Sequence, residues 1–285
     1  MATIRQIRRR IRSVQSTAKI TKAMEMVAAS RMRRAQERDI AGRPYAQLMR
    51  QVLADLGGQR QVGADIHPLL AKRPVNRIGL VHITPDRGLC GGLHGSMNRK
   101  ALGFVLEQKF PVNQVVVGRK GVDFMVRYGQ NVEAEFTRLG DQPLLNDIIP
   151  IAKVVIDDYS KGVVDEVYLS YAQFVNTMVQ KPTLWKLLPI EPPKAEEKLS
   201  FDYIYEPSAV AVLADILPRF VEMQLYHAVL EAVASEQSAR MVAMRSATEN
   251  ARELIQDLTL VYNKVRQDTI TRELLDIIGG AVALE

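Results

Sequence analysis

Apolar positions at the start of the chain recur at intervals of three and four: Ile4, Ile7, Ile11, Val14 and Ala18. That is the spacing of a coiled-coil seam. Followed by hydrophobicity, the seam drifts to Ile20, Met24 and Val27, with the small residues Ala23, Ala28, Ala29 and Ser30 crowding the same turns. Gly42 and Pro44 predict a kink or a break, because proline removes a donor and clashes with the preceding turn. Leu48, Val52, Leu53 and Leu56 resume the pattern, and Gly57-Gly58 ends it. One helix over residues 1–58 spans roughly 80 Å at the helical rise.

The end of the chain has the same character. After Glu206-Pro207-Ser208, with Ser208 a candidate cap, apolar positions run Val210, Leu213, Leu217, Val221, Leu225, Ala228 and Ala232. They continue through Val242, Leu254, Leu258, Val261, Val265, Leu274 and Ile277, and Gly279-Gly280 stops the helix. Pro218 predicts a local kink near its start. Neither helix buries a seam alone, so residues 1–58 and 207–285 are expected to form a long antiparallel coiled coil, held mainly by apolar burial. The second helix is the longer. Its tip, Leu274 to Leu284, is apolar nearly all round, which a lone exposed helix does not tolerate. Either it folds back on its own core or it inserts into an apolar collar of a partner.

Between the helices the pattern alternates. Arg77–Thr84, Val112–Gly118, Val132–Phe136, Glu166–Phe174 and Val179–Ile190 read as strands, β-branched or alternating and bounded by Pro, Asn and Gly. Leu93–Gln108, Val122–Tyr128 and Leu145–Ser160 read as helices. The order predicts an open, mostly parallel α/β sheet over residues 74–195, with helices on both faces and an antiparallel edge.

Charge sharpens this division. The 285 residues carry a net +6, but residues 1–50 hold 13 basic and 3 acidic side chains, net +10. Residues 51–206 hold 18 of each, and residues 207–285 hold 7 basic and 11 acidic, net −4. Opposite charge favours pairing of the two helices, though solvent screening keeps that contribution modest. A basic leucine zipper would separate its basic region from its apolar seam. Here the seam runs through the basic segment, so a shaft facing acidic protein is favoured over a nucleic-acid arm. Aromatic content of 6% also speaks against a base-stacking surface. The basic, acid-poor start would suit a transit peptide, but its apolar spacing continues unbroken into the helix, and no stretch is long enough to span a membrane.

Candidate chemistry is sparse. Thr84-Pro85-Asp86-Arg87-Gly88-Leu89-Cys90-Gly91-Gly92-Leu93-His94-Gly95 lies between a strand and a helix, where a nucleotide loop sits. Its glycines do not make G-x-G-x-x-G, and Gly118-Arg119-Lys120-Gly121 is no P-loop, so a structural turn is the favoured reading. Cys90, the lone cysteine, stands four residues before His94, but no third orienting group completes a nucleophilic site. His67, His82, His94 and His227 lack metal-ligand spacing. Glu236, Glu249 and Glu253 are expected to form a solvated face. No catalytic residue, cofactor or metal is expected.

Three motifs carry a resemblance. Ile7-Arg8-Arg9-Arg10-Ile11-Arg12-Ser13-Val14-Gln15 through Lys19-Ile20-Thr21-Lys22-Ala23-Met24-Glu25-Met26-Val27-Ala28-Ala29-Ser30, then Asp86-Arg87-Gly88-Leu89-Cys90-Gly91-Gly92, then Ala247-Thr248-Glu249-Asn250-Ala251 through Leu260-Val261-Tyr262-Asn263-Lys264-Val265-Arg266-Gln267-Asp268-Thr269-Ile270-Thr271-Arg272-Glu273-Leu274 resemble the F-type ATP synthase gamma-subunit family. The resemblance implies a central rotor shaft whose terminal helices enter a hexamer of alpha and beta subunits. A Rossmann-like middle domain would sit against the epsilon subunit and the membrane c-ring. It implies a non-catalytic subunit, without nucleic acid, peripheral to the cytoplasmic face of a bacterial cell membrane. Met24, Arg266, Gln267, Leu274, Ile277 and Leu284 match positions that face the hexamer, Arg266-Gln267 as a polar catch. Tyr203, Tyr205 and Glu206 match the foot toward the ring. A chloroplast-type redox switch needs an inserted cysteine pair, which a single Cys excludes.

Overall fold

The computed structural model describes residues 3–58, 67–191, 206 and 208–282. They divide into two compact units, Met1–Ala28 with Met241–Glu285, and Ala29–Arg240. Helix α1, Ile4–Gly58, and helix α5, Ala209–Val282, each contribute to both units.

In the first unit the two helices run antiparallel. Arg8 lies over the Tyr262 ring at 6.0 Å, Thr21 Oγ1 meets Thr248 Oγ1 at 2.7 Å, and Arg245 donates to Glu25 at 3.2 Å. Numbers rise on α1 as they fall on α5. The covered and half-covered positions on α1 in this unit are Ile4, Ile7, Ile11, Val14, Ala18, Thr21, Met24, Glu25 and Ala28. Those on α5 are Met241, Val242, Ala243, Met244, Ala247, Thr248, Ala251, Ile255, Leu258, Tyr262, Val265 and Thr269. From Ile4 to Thr21 and from Thr248 to Thr269 the spacing is strictly three and four, which holds one stripe toward the partner; between these stretches the covered face is broader.

This corrects the expected drift of the seam. Ile20 and Val27 are exposed, and Leu254 and Val261 face solvent, while Met24 is half-covered like Ile11 and Val14. Register outranks hydrophobicity here, because a stripe that left the heptad spacing would rotate away from its partner. The expected charge pairing is also reversed in detail. The cross-helix ion pair recorded among the described residues of this unit places Glu25 of the basic helix against Arg245 of the acidic one.

In the second unit, β1 (Ile78–Ile83), β2 (Val112–Val117), β3 (Val132–Phe136), β4 (Glu166–Phe174) and β5 (Gln180–Leu188) form one sheet in the order β3-β2-β1-β4-β5. All pairings are parallel except the last. Helices α2 (Leu93–Glu107), α3 (Arg119–Arg127) and α4 (Leu145–Ser160) connect them. The period-2 alternation of β1 sends Ile78 and Leu80 to one face, where Ala101 of α2 and Met125 of α3 pack. Val81 and Ile83 face the opposite side, against Ile151 and Val155 of α4. Met49 and Leu53 of α1 and Leu217, Val221 and Leu225 of α5 join that second core. The expected open sheet with helices on both faces and an antiparallel edge is what forms.

Neither proline breaks its helix. α1 is continuous through Pro44 and α5 through Pro218. Pro44 and Ile40, whose carbonyl loses its helical donor, both lie on the exposed side, so water is at hand to replace the bond. Gly42 serves a close approach instead of a kink: a Cβ there would sit 2.8 Å from Cε1 of His227. His227 Nδ1 in turn lies 3.0 Å from Oδ1 of Asp39. Burial works to raise the Asp39 pKa, but hydrogen bonds from His227 and Arg43 outweigh it and hold the carboxyl below its ordinary value.

At the sheet centre, His82 is fully buried, with Nδ1 at 3.1 Å from Ser170 Oγ and Nε2 at 3.0 Å from Asn98 Oδ1. Asn98 donates onward to the Lys120 carbonyl. Desolvation pushes the imidazole down from 6.5 to about 4. The unfolded chain therefore takes up a proton between those pH values that the native state refuses. Stability falls as pH drops through this window, by about 3 kcal/mol. Urea midpoints measured from pH 7 to pH 4 are expected to show that loss, and His82→Gln, which cannot titrate, is expected to flatten it.

Candidate functional site

An open parallel sheet offers a ligand crevice beyond the carboxyl ends of its strands, where the strand order reverses. Here that is the region beside β1 and β4, and the loop from Thr84 to Gly92 leaves β1 into it. The first amide groups of α3 point there, a ready anion site in principle. The chain fills it with its own atoms. Asp86 Oδ1 accepts the Arg119 amide at 2.9 Å, and its Oδ2 accepts the Arg138 amide at 3.0 Å. The Pro85 carbonyl accepts from Lys120 at 3.1 Å, and Thr84 Oγ1 accepts from Gly121 at 2.8 Å. Asp86 thus stands where a phosphate would, and ties together the segments that leave β1, β2 and β3.

Gly118 makes this closeness possible. Its φ is 95°, and a Cβ would fall 1.9 Å from the Thr84 carbonyl oxygen. The first turn of α3, which hydrophobic spacing alone begins at Val122, starts at Arg119 because these distant acceptors cap it.

The second half of the loop docks on α5. Cys90 is buried with Leu93, Met97 and Ala172, and Ala239 of α5 packs against them. Arg240 Nη2 donates to the Gly88 carbonyl at 3.2 Å and pairs with Glu236. Glu236 is therefore no part of the solvated face that Glu249 and Glu253 do form. Burial raises its pKa against the opposing pull of Arg240. Burial, with the Glu236 charge adding, also pushes the Cys90 thiol up. His94 Nδ1 is 3.8 Å from the sulfur, and burial that favours the thiol form works against a thiolate nucleophile there. A cavity of about 270 Å³ remains beside the loop, and Val229, Val233 and Glu236 of α5 form part of its wall with Ile83 and Leu139.

The shaft positions have a different character. Met24 is half-buried beside the seam, while Arg266 and Gln267 are exposed. α1 begins at Ile4 and the register sets Arg8 near Tyr262, so the last turns of α5 extend past the end of their partner. Ile270, Leu274, Leu275, Ile277 and Ile278 there are 48%, 54%, 62%, 68% and 58% exposed. Along its described residues the tip does not fold back on its own core. Leu284, Tyr203 and Tyr205 lie outside the described residues; Glu206 is exposed at a bend. Met24 and Arg266 lie on different stretches of the unit and are not brought together. No helix among the described residues is long and apolar enough to cross a membrane.

Sequence reasoning did not single out Arg240, Thr21, Thr248 or the Asp39–His227 pair. Thr21 and Thr248 carried a signal, since both fall on the uninterrupted three–four spacing.

Known proteins align with the whole chain. A family described as ATP synthase matches residues 3–284. The ATP synthase gamma chain of Dehalococcoides mccartyi strain 195 is 59% identical over 284 residues, covering 100% of both chains. That of Roseiflexus castenholzii is 55% identical over 288 residues, covering 100% of this chain and 99% of the relative. A chain from the central stalk and c-ring of the Tetrahymena thermophila mitochondrial ATP synthase has a TM-score of 0.62 at 25% identity, over 80% of this chain and 99% of that one. A chain of the Euglena gracilis mitochondrial enzyme shares the fold with a TM-score of 0.69 at 22% identity, over 99% of this chain and 94% of that one.

The loop geometry makes a direct prediction. Gly118→Ala forces both a strained φ and a backbone clash, and is expected to destabilise the chain by about 3 kcal/mol or more. Asp86→Ala strands two exposed backbone amides and is expected to cost about 1 kcal/mol. Chemical denaturation of both variants, ranked against the parent chain, checks the order.

Proposed function

The chain belongs to the ATP synthase gamma-chain family, and we propose that it is the non-catalytic central shaft of the proton-translocating complex. In this reading it carries torque between the c-ring in the membrane and the hexamer of alpha and beta subunits. The observation that carries it is the overhanging end of α5. Five large apolar side chains stand exposed on consecutive turns beyond the reach of α1. Such a surface is stable only inside an apolar sleeve, and a ring of subunits around the tip supplies one without gripping any one face.

The exposed Arg266-Gln267 pair lies just below that tip, and it acts as a polar catch on the hexamer. A charge-assisted hydrogen bond there is made and broken as the shaft turns. Met24, half-covered on the flank of the seam, is a second contact. Basic side chains off the α1 seam, among them Arg5, Arg9 and Arg12, present positive charge to acidic surfaces of the ring. The α/β domain meets the epsilon subunit, and Glu206 with Tyr203 and Tyr205 forms the foot toward the c-ring. The chain then lies peripherally at the cytoplasmic face of a bacterial cell membrane. That the subunit itself carries out no chemistry is supported by the Asp86 carboxylate filling the α3 amino terminus and by the protonated, buried Cys90.

Coassembly tests the reading. Mixed with alpha and beta subunits, the chain is expected to yield a stable complex with ATPase activity; a chain that never enters such a complex ends it. In that complex, Arg266→Ala is expected to lower the ATPase rate while the melting curve of the chain stays unchanged. The double variant Leu274→Asp/Ile277→Asp sets two charges against the apolar sleeve, at a cost of several kcal/mol. Its assembled yield is expected to fall at least tenfold.

A further inference from the structure

We propose that the groove between α1 and α5 beside the β5 edge of the sheet binds a small amphipathic anion, an alkyl or aryl carboxylate, with Arg50 and Gln224 holding its head and Trp185 and Phe220 its apolar body. Two cavities, of about 510 Å³ and about 310 Å³, meet there, and Arg50, Tyr171, Trp185 and Gln224 line both. All four residues belong to the second unit. The larger cavity alone has the size of an ordinary small-molecule pocket. The groove arises because two helices share one sheet face without closing over its edge. α1 packs on that face through Met49 and Leu53, and α5 through Leu217, Val221 and Leu225. Trp185 of β5, the outermost strand, and Phe220 of α5 touch the same core and stay half-buried. With Pro189 and Ile190 they give the larger cavity an apolar wall.

The polar residues at the junction are unmatched. Gln224 falls on the inward stripe of α5, three residues after Val221, and is 8% exposed. Buried side-chain amides are paired in the large majority of cases, yet among the described residues the Gln224 amide has no hydrogen-bond partner. It lines both cavities, so the open space is where a partner would stand. Arg50 of α1 lines both as well, and among the described residues its guanidinium has no carboxylate partner. The other charges in the walls are accounted for. Asp39 is held by His227 and Arg43, and Glu191 by Lys72. Burial, with the Asp39 charge adding, pushes the Glu231 carboxyl up, toward its uncharged form.

This arrangement selects the ligand's chemistry. A guanidinium donates to a carboxylate in bidentate fashion, and Gln224 Nε2 offers a further donor at the same junction. A cationic ligand would be repelled by Arg50, and a neutral one would leave its charge unmatched. The wall of Trp185, Phe220, Pro189 and Ile190 asks for hydrocarbon or an aromatic ring in the rest of the molecule. An unpaired amide on an apolar stripe also breaks the local rule for a stable helix, and such breaks are expected where a chain keeps a function. The site does not rest on the shaft reading. Failure of the chain to coassemble with alpha and beta subunits would remove that reading and leave the groove as it is.

Trp185 is the only tryptophan in the chain, so its fluorescence reports on the groove directly. Octanoate titrated into the full chain at pH 7 is expected to shift the Trp185 emission along a saturable curve. Its half-point is expected at about 1 mM, in keeping with about ten non-hydrogen atoms at modest ligand efficiency. Arg50→Gln, at an exposed position, is expected to raise the half-point at least tenfold with the melting temperature unchanged. Octanol, which keeps the tail and lacks the charge, is expected to bind at least tenfold more weakly than octanoate. Gln224→Leu removes the unpaired amide, and is expected to raise the melting temperature while weakening octanoate at least fivefold. A titration that never saturates overturns the proposal. So does an equal response to octanol or from Arg50→Gln, since the signal is then an apolar tail partitioning onto any greasy surface. A Gln224→Leu chain that melts lower and binds octanoate as the parent does overturns it too, because the amide is then structural.

Discussion

A helix with a single narrow covered stripe is not stable in water by itself, and the structure follows from how that constraint is met. Helix propensity is weak, and a long exposed helix relies on burial of its stripe against something else. In the first unit the something else is the other end of the same chain. Segments more than two hundred residues apart in sequence meet along one antiparallel seam. In the second unit the same two helices lay their apolar stripes on a sheet face, with Met49, Leu53, Leu217 and Val221 in the core that Val81 and Ile83 also enter.

The helices and strands were legible because their periodicity is local. β3, α4 and β4 fall on the residues that alternation and helical spacing assign to them. The seam was legible only in part, because two rules compete in residues 18–28. Hydrophobicity points to Ile20 and Val27, while the heptad spacing points to Thr21, Glu25 and Ala28. Spacing prevails, since a polar side chain in the seam can be satisfied and a misdirected stripe cannot be. Thr21 bonds the Ala18 carbonyl and Glu25 pairs with Lys22 within their own helix, but the cross-seam partners Thr248 and Arg245 lie in no local window of sequence. The same holds for Gly42, whose neighbour is His227 on the other helix, and for the first turn of α3, whose caps are Thr84 and Asp86.

The candidate site shows how a fold can keep a familiar layout while the chain's own atoms fill its anion position. The sheet order and the glycine-rich loop after β1 are where a nucleotide-binding domain has them. Asp86 then spends its carboxylate on the Arg119 and Arg138 amides, and Val229, Val233 and Glu236 of α5 form part of the cavity wall beside the loop. Composition and motif spacing indicated a structural turn. They could not indicate what the turn is for, because its contacts come from residues 119, 138 and 240. A tethered carboxylate holds the loop at the amino end of α3. The loop fastens three strand ends to one another and, through Arg240 and the Gly88 carbonyl, to the long helix.

That fastening bears on torque. A rotor element must not dissipate work in internal slippage, and among the described residues the docking of the loop on α5 and the seam between helices are both held by more than apolar contact. Each is held by directional polar bonds embedded in apolar packing: Arg240 to Gly88 and Glu236 at the first, Thr21 to Thr248 and Glu25 to Arg245 at the second. Apolar burial resists separation and its interdigitated side chains resist sliding, while the hydrophobic effect itself is non-directional. Hydrogen bonds and ion pairs depend steeply on distance and angle, so they add to the resistance against shear. The polar residues that interrupt an otherwise apolar seam are therefore not defects in the packing. They add directional contacts to a seam whose apolar packing is non-directional in its driving force.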